Sequence, residues 1–341
     1  MKPNSLFAVA VLSIGLSACT ITKIQNSSSS SSSFSSNKTD TAEGTSTVEG
    51  SSVSSESISS SSDESISSEE SSSSSMSSSS SSSDTTPKSD YVPDGAKLSF
   101  QDEFDGNALN TSIWEPMIGN GSQYGIWEWG NAERQYYQKE NATVEEGRLL
   151  ITAKKQQVGD YAYTSARLRT KGRVAFSRNS YIEARIKMPA IPGMWPAFWM
   201  LPEDNFEGKG WPTSGEIDIM EARGRVDNQT SGALHYAQNS AGNHTYKTAS
   251  MTMDSITNWH CYSVLWSNTS IVWMVDGLSF LTVSSSTWGE GYNQKDGAPF
   301  NRPFHLLLNL AVGGNFDGGV LPPSDFVSAA MEIDYVRGYS L

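Results

Sequence analysis

Between residues 91 and 341 the hydrophobic positions fall in short runs, alternating or wholly apolar, separated by Gly, Asn, Asp and Pro. The runs at 149–152, 181–188, 217–221, 261–266, 271–275, 304–309 and 331–338 have the lengths and side-chain pattern of strands. Asp276-Gly277, set between two such runs, is a hairpin-turn sequence. No amphipathic repeat extends beyond about two helical turns. This stretch of about 250 residues therefore predicts one all-β domain, a two-sheet β-sandwich with its own core.

One run breaks its own period. In Ser214-Gly215-Glu216-Ile217-Asp218-Ile219-Met220-Glu221 the isoleucines face one side of a strand and Glu216 and Asp218 the other. Strict alternation would then expose Met220 and bury Glu221. A β-bulge near Ile219-Met220 reverses both, so that three carboxylates line one face. A solvated edge strand would mix in Lys, Thr or Ser, and this one has none. Paired carboxylates suit glycoside hydrolysis, one attacking the anomeric carbon and the other protonating the leaving oxygen. Retaining chemistry sets the two carboxyl groups about 5–5.5 Å apart, whereas five strand steps separate the Cα atoms by about 16 Å. The bulge, strand curvature and leaning side chains must supply the difference. Mutual repulsion raises the pKa values and keeps one Glu protonated near neutral pH, while Asp218 is placed to hold the nucleophile.

The N-terminal quarter has a different composition. Lys2 precedes an apolar run from Leu6 to Ala18, too short to span a membrane and suited to a secretory signal. Leu16-Ser17-Ala18-Cys19 resembles a bacterial lipoprotein cleavage box in which Cys19 becomes the lipidated first residue, and Thr20 resembles the pattern of outer-membrane sorting. Residues 27–90 are dominated by Ser, with ten Asp/Glu against Lys38 and Lys88. Such a segment buries too little apolar surface to offset its chain entropy. It is expected to be a disordered linker with an average reach of about 40–50 Å. The expected organisation is a signal peptide at 1–18, a linker at 19–90 bearing Cys19, and a catalytic domain at 91–341 anchored outside the cytoplasm.

Of the net charge of −13, the domain keeps −7, from 27 acids and 20 bases. That argues against a nucleic-acid partner and favours a neutral substrate over an anionic one. With Cys19 lipidated, Cys261 has no disulfide partner. In 259–264 adjacent His260 and Cys261 face opposite ways, so Cys261 reads as a buried core thiol rather than a nucleophile. All ten Trp lie in the domain, and Trp266 and Trp273 read as core. No Gly-rich phosphate loop or clustered metal-binding His implies a catalytic cofactor.

The segment Gly215 to Glu221 resembles the Glu-x-Asp-x-x-Glu signature of glycoside hydrolase family 16 in its laminarinase-like, bulged form. Phe100 to Gly106, Trp129 to Tyr137, Tyr163 to Arg167, Gly193 to Trp199, Asn309 to Gly314 and Asp334 to Arg337 resemble further landmarks in that family's order, over roughly residues 95–341. The resemblance implies a jelly roll with a substrate groove across its concave sheet. It implies Glu216 as nucleophile, Glu221 as acid/base and Asp218 as support. Trp195, Trp199 and Trp211 would line donor subsites, and Asn131 and Arg167, with Glu133 nearby, would meet sugar hydroxyls. His235 would contact the sugar on the leaving side, beside Glu221. A structural Ca²⁺ on the convex side is implied at Glu103, the Gly147 backbone and Asp334, oxygen ligands suited to that ion. Ala132, Arg134 and Phe316-Asp317 depart from the family pattern and bear on specificity. The expectation is a monomeric, retaining endo-β-1,3-glucanase acting on laminarin-like glucans. The alternatives are a mixed-linkage β-1,3-1,4-glucanase, an agarase-like hydrolase, a non-catalytic glucan-binding lipoprotein, and a structural adhesin on a Ser-rich stalk.

Overall fold

The alternating runs pair into two sheets whose apolar faces close on each other. One sheet runs, edge to edge, Leu278–Ser284, Ser270–Val275, His260–Trp266, Ser180–Lys187, Ser328–Ser340, Arg148–Val158, Tyr161–Ser165 and Gln135–Tyr137. Lys97–Asp102 adds to Ser328–Ser340, and Ala142–Glu145 adds to Arg148–Val158. The second sheet runs His244–Thr252, Gln229–Ala237, Glu216–Glu221, Met194–Pro202, Phe304–Val312, Arg167–Arg169 and Glu115–Pro116, with Ala175–Phe176 also on Phe304–Val312. Pairing is antiparallel except between Gln135–Tyr137 and Tyr161–Ser165. This is the expected jelly-roll sandwich. The computed structural model describes residues 89–204, 208–239, 241–289 and 297–341. The signal peptide, Cys19 and almost all of the linker lie outside the described residues, as do parts of the 205–211 and 288–300 loops.

A single large core fills the space between the sheets. Ile182, Val264 and Trp266 from one sheet meet Phe198, Ile217 and Leu308 from the other. Trp266 and Trp273 are wholly buried, as their sequence setting implied. At the Asp276-Gly277 turn both residues take positive φ, 49° and 75°, the requirement of a tight turn matched to strand twist. Among the described residues the α-helix Ser285–Gly289 is five residues long, so the strands alone position the site. A smaller cluster of Met117, Trp129, Tyr137 and Leu307, packed by Trp199 and Leu201, lies apart from the main core.

Candidate active site

The acid strand Glu216–Glu221 carries the expected bulge. Asp218 and Glu221 pair with Ala233 and Ser231 on one neighbour and with Trp199 and Ala197 on the other. Two residues of the acid strand therefore oppose one on each side, and Ile219 is the extra residue because Met220 pairs with Phe198. Ile219 and Met220 are both buried in the core. Glu221 thereby returns to the face of Glu216 and Asp218. The bulge frees backbone carbonyls from the ladder, and side chains satisfy them: Trp273 Nε1 donates to the Asp218 oxygen at 2.8 Å, and Thr230 Oγ1 to the Glu221 oxygen at 3.0 Å. Gly232, opposite the bulge, gives that indole room, since a Cβ there would sit 2.5 Å from Trp273 Cδ1.

The electrostatics follow from three acids crowded at a desolvated surface. Burial first, then the neighbouring Asp218 charge, pushes Glu221 up to about 8, and the same two causes raise Glu216 well above the carboxylate range. Burial also raises Asp218, which shares a hydrogen bond with Glu216. Opposing these shifts, Trp195 Nε1 donates to Glu221 Oε1 at 2.9 Å and favours the carboxylate. Asp218 is nearly inaccessible, whereas Glu216 and Glu221 keep partial exposure.

His235 pairs with Glu216 across the ladder, and its Nε2 lies 3.1 Å from Asp218 Oδ2, at ion-pair distance though not aligned as a hydrogen bond. The register thus puts His235 at the Glu216–Asp218 end, not beside Glu221 as expected; Ser231 is the residue opposite Glu221. His235 Nδ1 meets His244 Nε2 at 2.8 Å. Trp211, half exposed, packs on His244 at 4.6 Å, and Tyr246 stacks beside both imidazoles. These rings form an aromatic rim next to the acids.

The remaining expected residues divide by exposure. Trp195 is buried, stacked on Phe316 at 5.0 Å and bonded to Glu221, so it positions the acid rather than offering a free sugar platform. Trp199 is partly exposed and donates to Asn309 Oδ1 at 2.8 Å. Arg167 is buried between the Trp129 and Trp199 rings, 4.5 and 4.7 Å from their centres. Buried Glu133 accepts from Gln135 and Tyr137, and Asn131 beside it is partly exposed.

Two of the three residues expected to hold calcium are already engaged. Both Glu103 oxygens accept from Arg337 at 2.7 and 2.8 Å, and Asp334 pairs with Arg185 at 2.7 Å. A divalent ion there would face two guanidinium groups, so Glu103, Gly147 and Asp334 as arranged do not fit the ion. His244, Tyr246 and Asn309 are site residues that the sequence pattern did not mark individually, and Phe316 was marked only as a departure from the family pattern. The first two sit on a strand whose register decides their role, while Asn309 and Phe316 lie in or near a recognised motif without a chemical signal of their own.

The family model for glycosyl hydrolases family 16 matches residues 129–336. The chain is 39% identical over 263 residues to glucan endo-1,3-beta-glucosidase A1 of Niallia circulans, covering 72% of this chain and 38% of that protein. It is 36% identical over 260 residues to the glucan endo-1,3-beta-glucosidase of Cryptopygus antarcticus, covering 71% of this chain and 92% of that one. The crystal structure of the endo-beta-1,3-glucanase from Pyrococcus furiosus superposes with a TM-score of 0.65 at 37% identity, covering 72% of this chain and 94% of that one. The chain spans little more than a third of the length of the Niallia protein.

Proposed function

The chain belongs to the glycosyl hydrolases of family 16, and on that premise we propose that it hydrolyses internal β-1,3-glucosidic bonds of laminarin-like glucans with retention of configuration. The observation that carries this reading is the bulge, which presents Glu216, Asp218 and Glu221 on one face. Glu216 attacks the anomeric carbon, and the bond to the leaving oxygen breaks as Glu221 delivers its proton. Glu221, now a carboxylate, takes a proton from water, which displaces Glu216 and restores both groups.

The raised Glu221 keeps its proton at neutral pH, as the first step requires. Glu216 and Asp218 share a hydrogen bond, so one proton serves the pair, and its passage to Asp218 as substrate displaces water leaves Glu216 as the attacking anion. The acid–base chemistry asks for no cofactor. Lipidation of Cys19, with the linker as tether and the outer membrane as anchor, rests on the lipoprotein-like box and belongs to this proposal.

Reducing-sugar release from laminarin, barley mixed-linkage glucan and agarose tests the reading, with Glu216→Gln alongside. Release from laminarin that disappears in the variant is the expected result. Preference for the barley glucan or agarose would reassign the substrate, and glucan binding without release would make the chain a binding lipoprotein. Cys19→Ser is expected to move the protein from the membrane to the soluble fraction.

A further inference from the structure

A second, aromatic-walled cleft lies near the groove. This cleft of about 390 Å³ is walled by Trp127, Tyr161 and Tyr163, with Glu128, Arg134 and Asp160 on its polar side and Leu321 closing it. Trp127 is 63% exposed, while Trp129, two residues on, is buried against Arg167. Glu128 and Trp129 both hold positive φ, 47° and 54°, and this costly turn sends one indole outward and the other under the groove. Such strain is retained where the surroundings enforce it.

Gly313-Gly314 runs between residues that line the cleft and residues beside the acids. A Cβ on Gly313 would touch Arg134 and Leu321, which line the cleft, at 3.0 and 3.1 Å. A Cβ on Gly314 would touch Trp195 and the Asn131 oxygen, on the groove side, at 3.0 and 3.3 Å. The exposed Trp127 ring, with the partly exposed Tyr161 and Tyr163 and the Glu128–Arg134 ion pair at its edge, suits a neutral pyranose, its C–H face stacking and its hydroxyls bonding. Resting on the glucanase reading above, we propose that this cleft is a further carbohydrate-binding site for a glucosyl unit of β-glucan, with Trp127 as its stacking platform. The glucosyl unit comes either from the chain lying in the groove or from a neighbouring chain.

Trp127→Ala, compared with the wild type, tests this, and Trp127→Phe provides the conservative control. If the unit belongs to the chain in the groove, the ratio of kcat/KM for a β-1,3-linked heptasaccharide to that for the trisaccharide falls about three- to tenfold and recovers in part with Phe. If it belongs to a neighbouring chain, the ratio holds but retention on laminarin in affinity electrophoresis weakens by a similar factor. Unchanged ratio together with unchanged retention overturns the site while leaving the glucanase reading intact. A wild type that releases no sugar from any β-glucan defeats the underlying reading instead.

Discussion

Glu221 is the residue on which pH dependence should turn, because its proton is the one transferred. With its pKa pushed up to about 8, the acid form prevails below that pH, and the basic limb of kcat/KM should fall near pH 8. The Trp195 indole favours the carboxylate. Trp195→Phe removes that donor, raises the pKa further and should move the basic limb upward by about one pH unit. A limb that stays put or moves down would deny the indole its role. Stability carries the same sign. A carboxyl raised by folding binds its proton more tightly when native, so its contribution is intact below pH 4 and is lost as pH rises through about 8. Glu221→Gln should therefore be more stable than the wild type by about 1–3 kcal/mol at pH 8.5, with little difference at pH 4, in urea titrations at the two pH values. The three acids were legible in the sequence, because nothing else explains charges interleaved with isoleucines. The side of the site that His235 serves was not, since it follows from cross-strand register. The buried setting of Trp195 was equally hidden, as it depends on Phe316 reaching it from a distant loop.

The acid strand works as an element because its bulge is stabilised from outside. The broken alternation at Met220 and Glu221 announced that bulge, but its support comes from Trp273 on the opposite sheet, which no local pattern reveals. Trp273→Phe keeps most of the apolar contact and leaves the Asp218 carbonyl without its donor. The expected cost is about 1–3 kcal/mol, read by urea denaturation, together with a fall in kcat as the bulge loosens. Loss of stability with unchanged kcat would mean the indole serves the core alone. Deleting Ile219 makes a complementary test. Removing the extra residue restores strict alternation, and Glu216, Asp218 and Glu221 still share one face. The deletion removes the same buried side chain and also shortens the strand, so its stability loss should be at least the roughly 2–5 kcal/mol of Ile219→Ala. Its activity should fall more than that of Ile219→Ala because the spacing of the carboxylates changes. A deletion that cannot fold would show that the bulge sets the register of the whole strand.

At the scale of the molecule, the two ends of the domain stabilise each other. The strand Lys97–Asp102 pairs with Ser328–Ser340, and Glu103 grips Arg337 with both oxygens. Upstream of that strand, Val92 packs against Tyr181 and Tyr339 in a small separate cluster. Beneath it lies wholly buried Glu183, which accepts from the Cys261 thiol at 3.3 Å and from the Tyr181 and Tyr339 hydroxyls at 3.3 and 3.4 Å. Burial raises this carboxyl, and Ser89 contributes a hydrogen bond that opposes the rise. Composition marked 27–90 as linker and the strand runs marked the domain, yet neither signalled that 89–96 covers a buried acid, because those residues carry little apolar pattern of their own. A chain begun at residue 89 should match the full-length protein in stability and in kcat on soluble laminarin. One begun at 97 loses Val92 and the cover over Tyr181, Tyr339 and Glu183, and should be less stable by about 2–4 kcal/mol. The deficit should shrink as pH rises above the ordinary carboxylate range, because an uncovered Glu183 no longer resists ionisation as the buried one does. Equal stability of the two truncations at every pH would place the start of the domain at the first strand and leave 89–96 with no structural part.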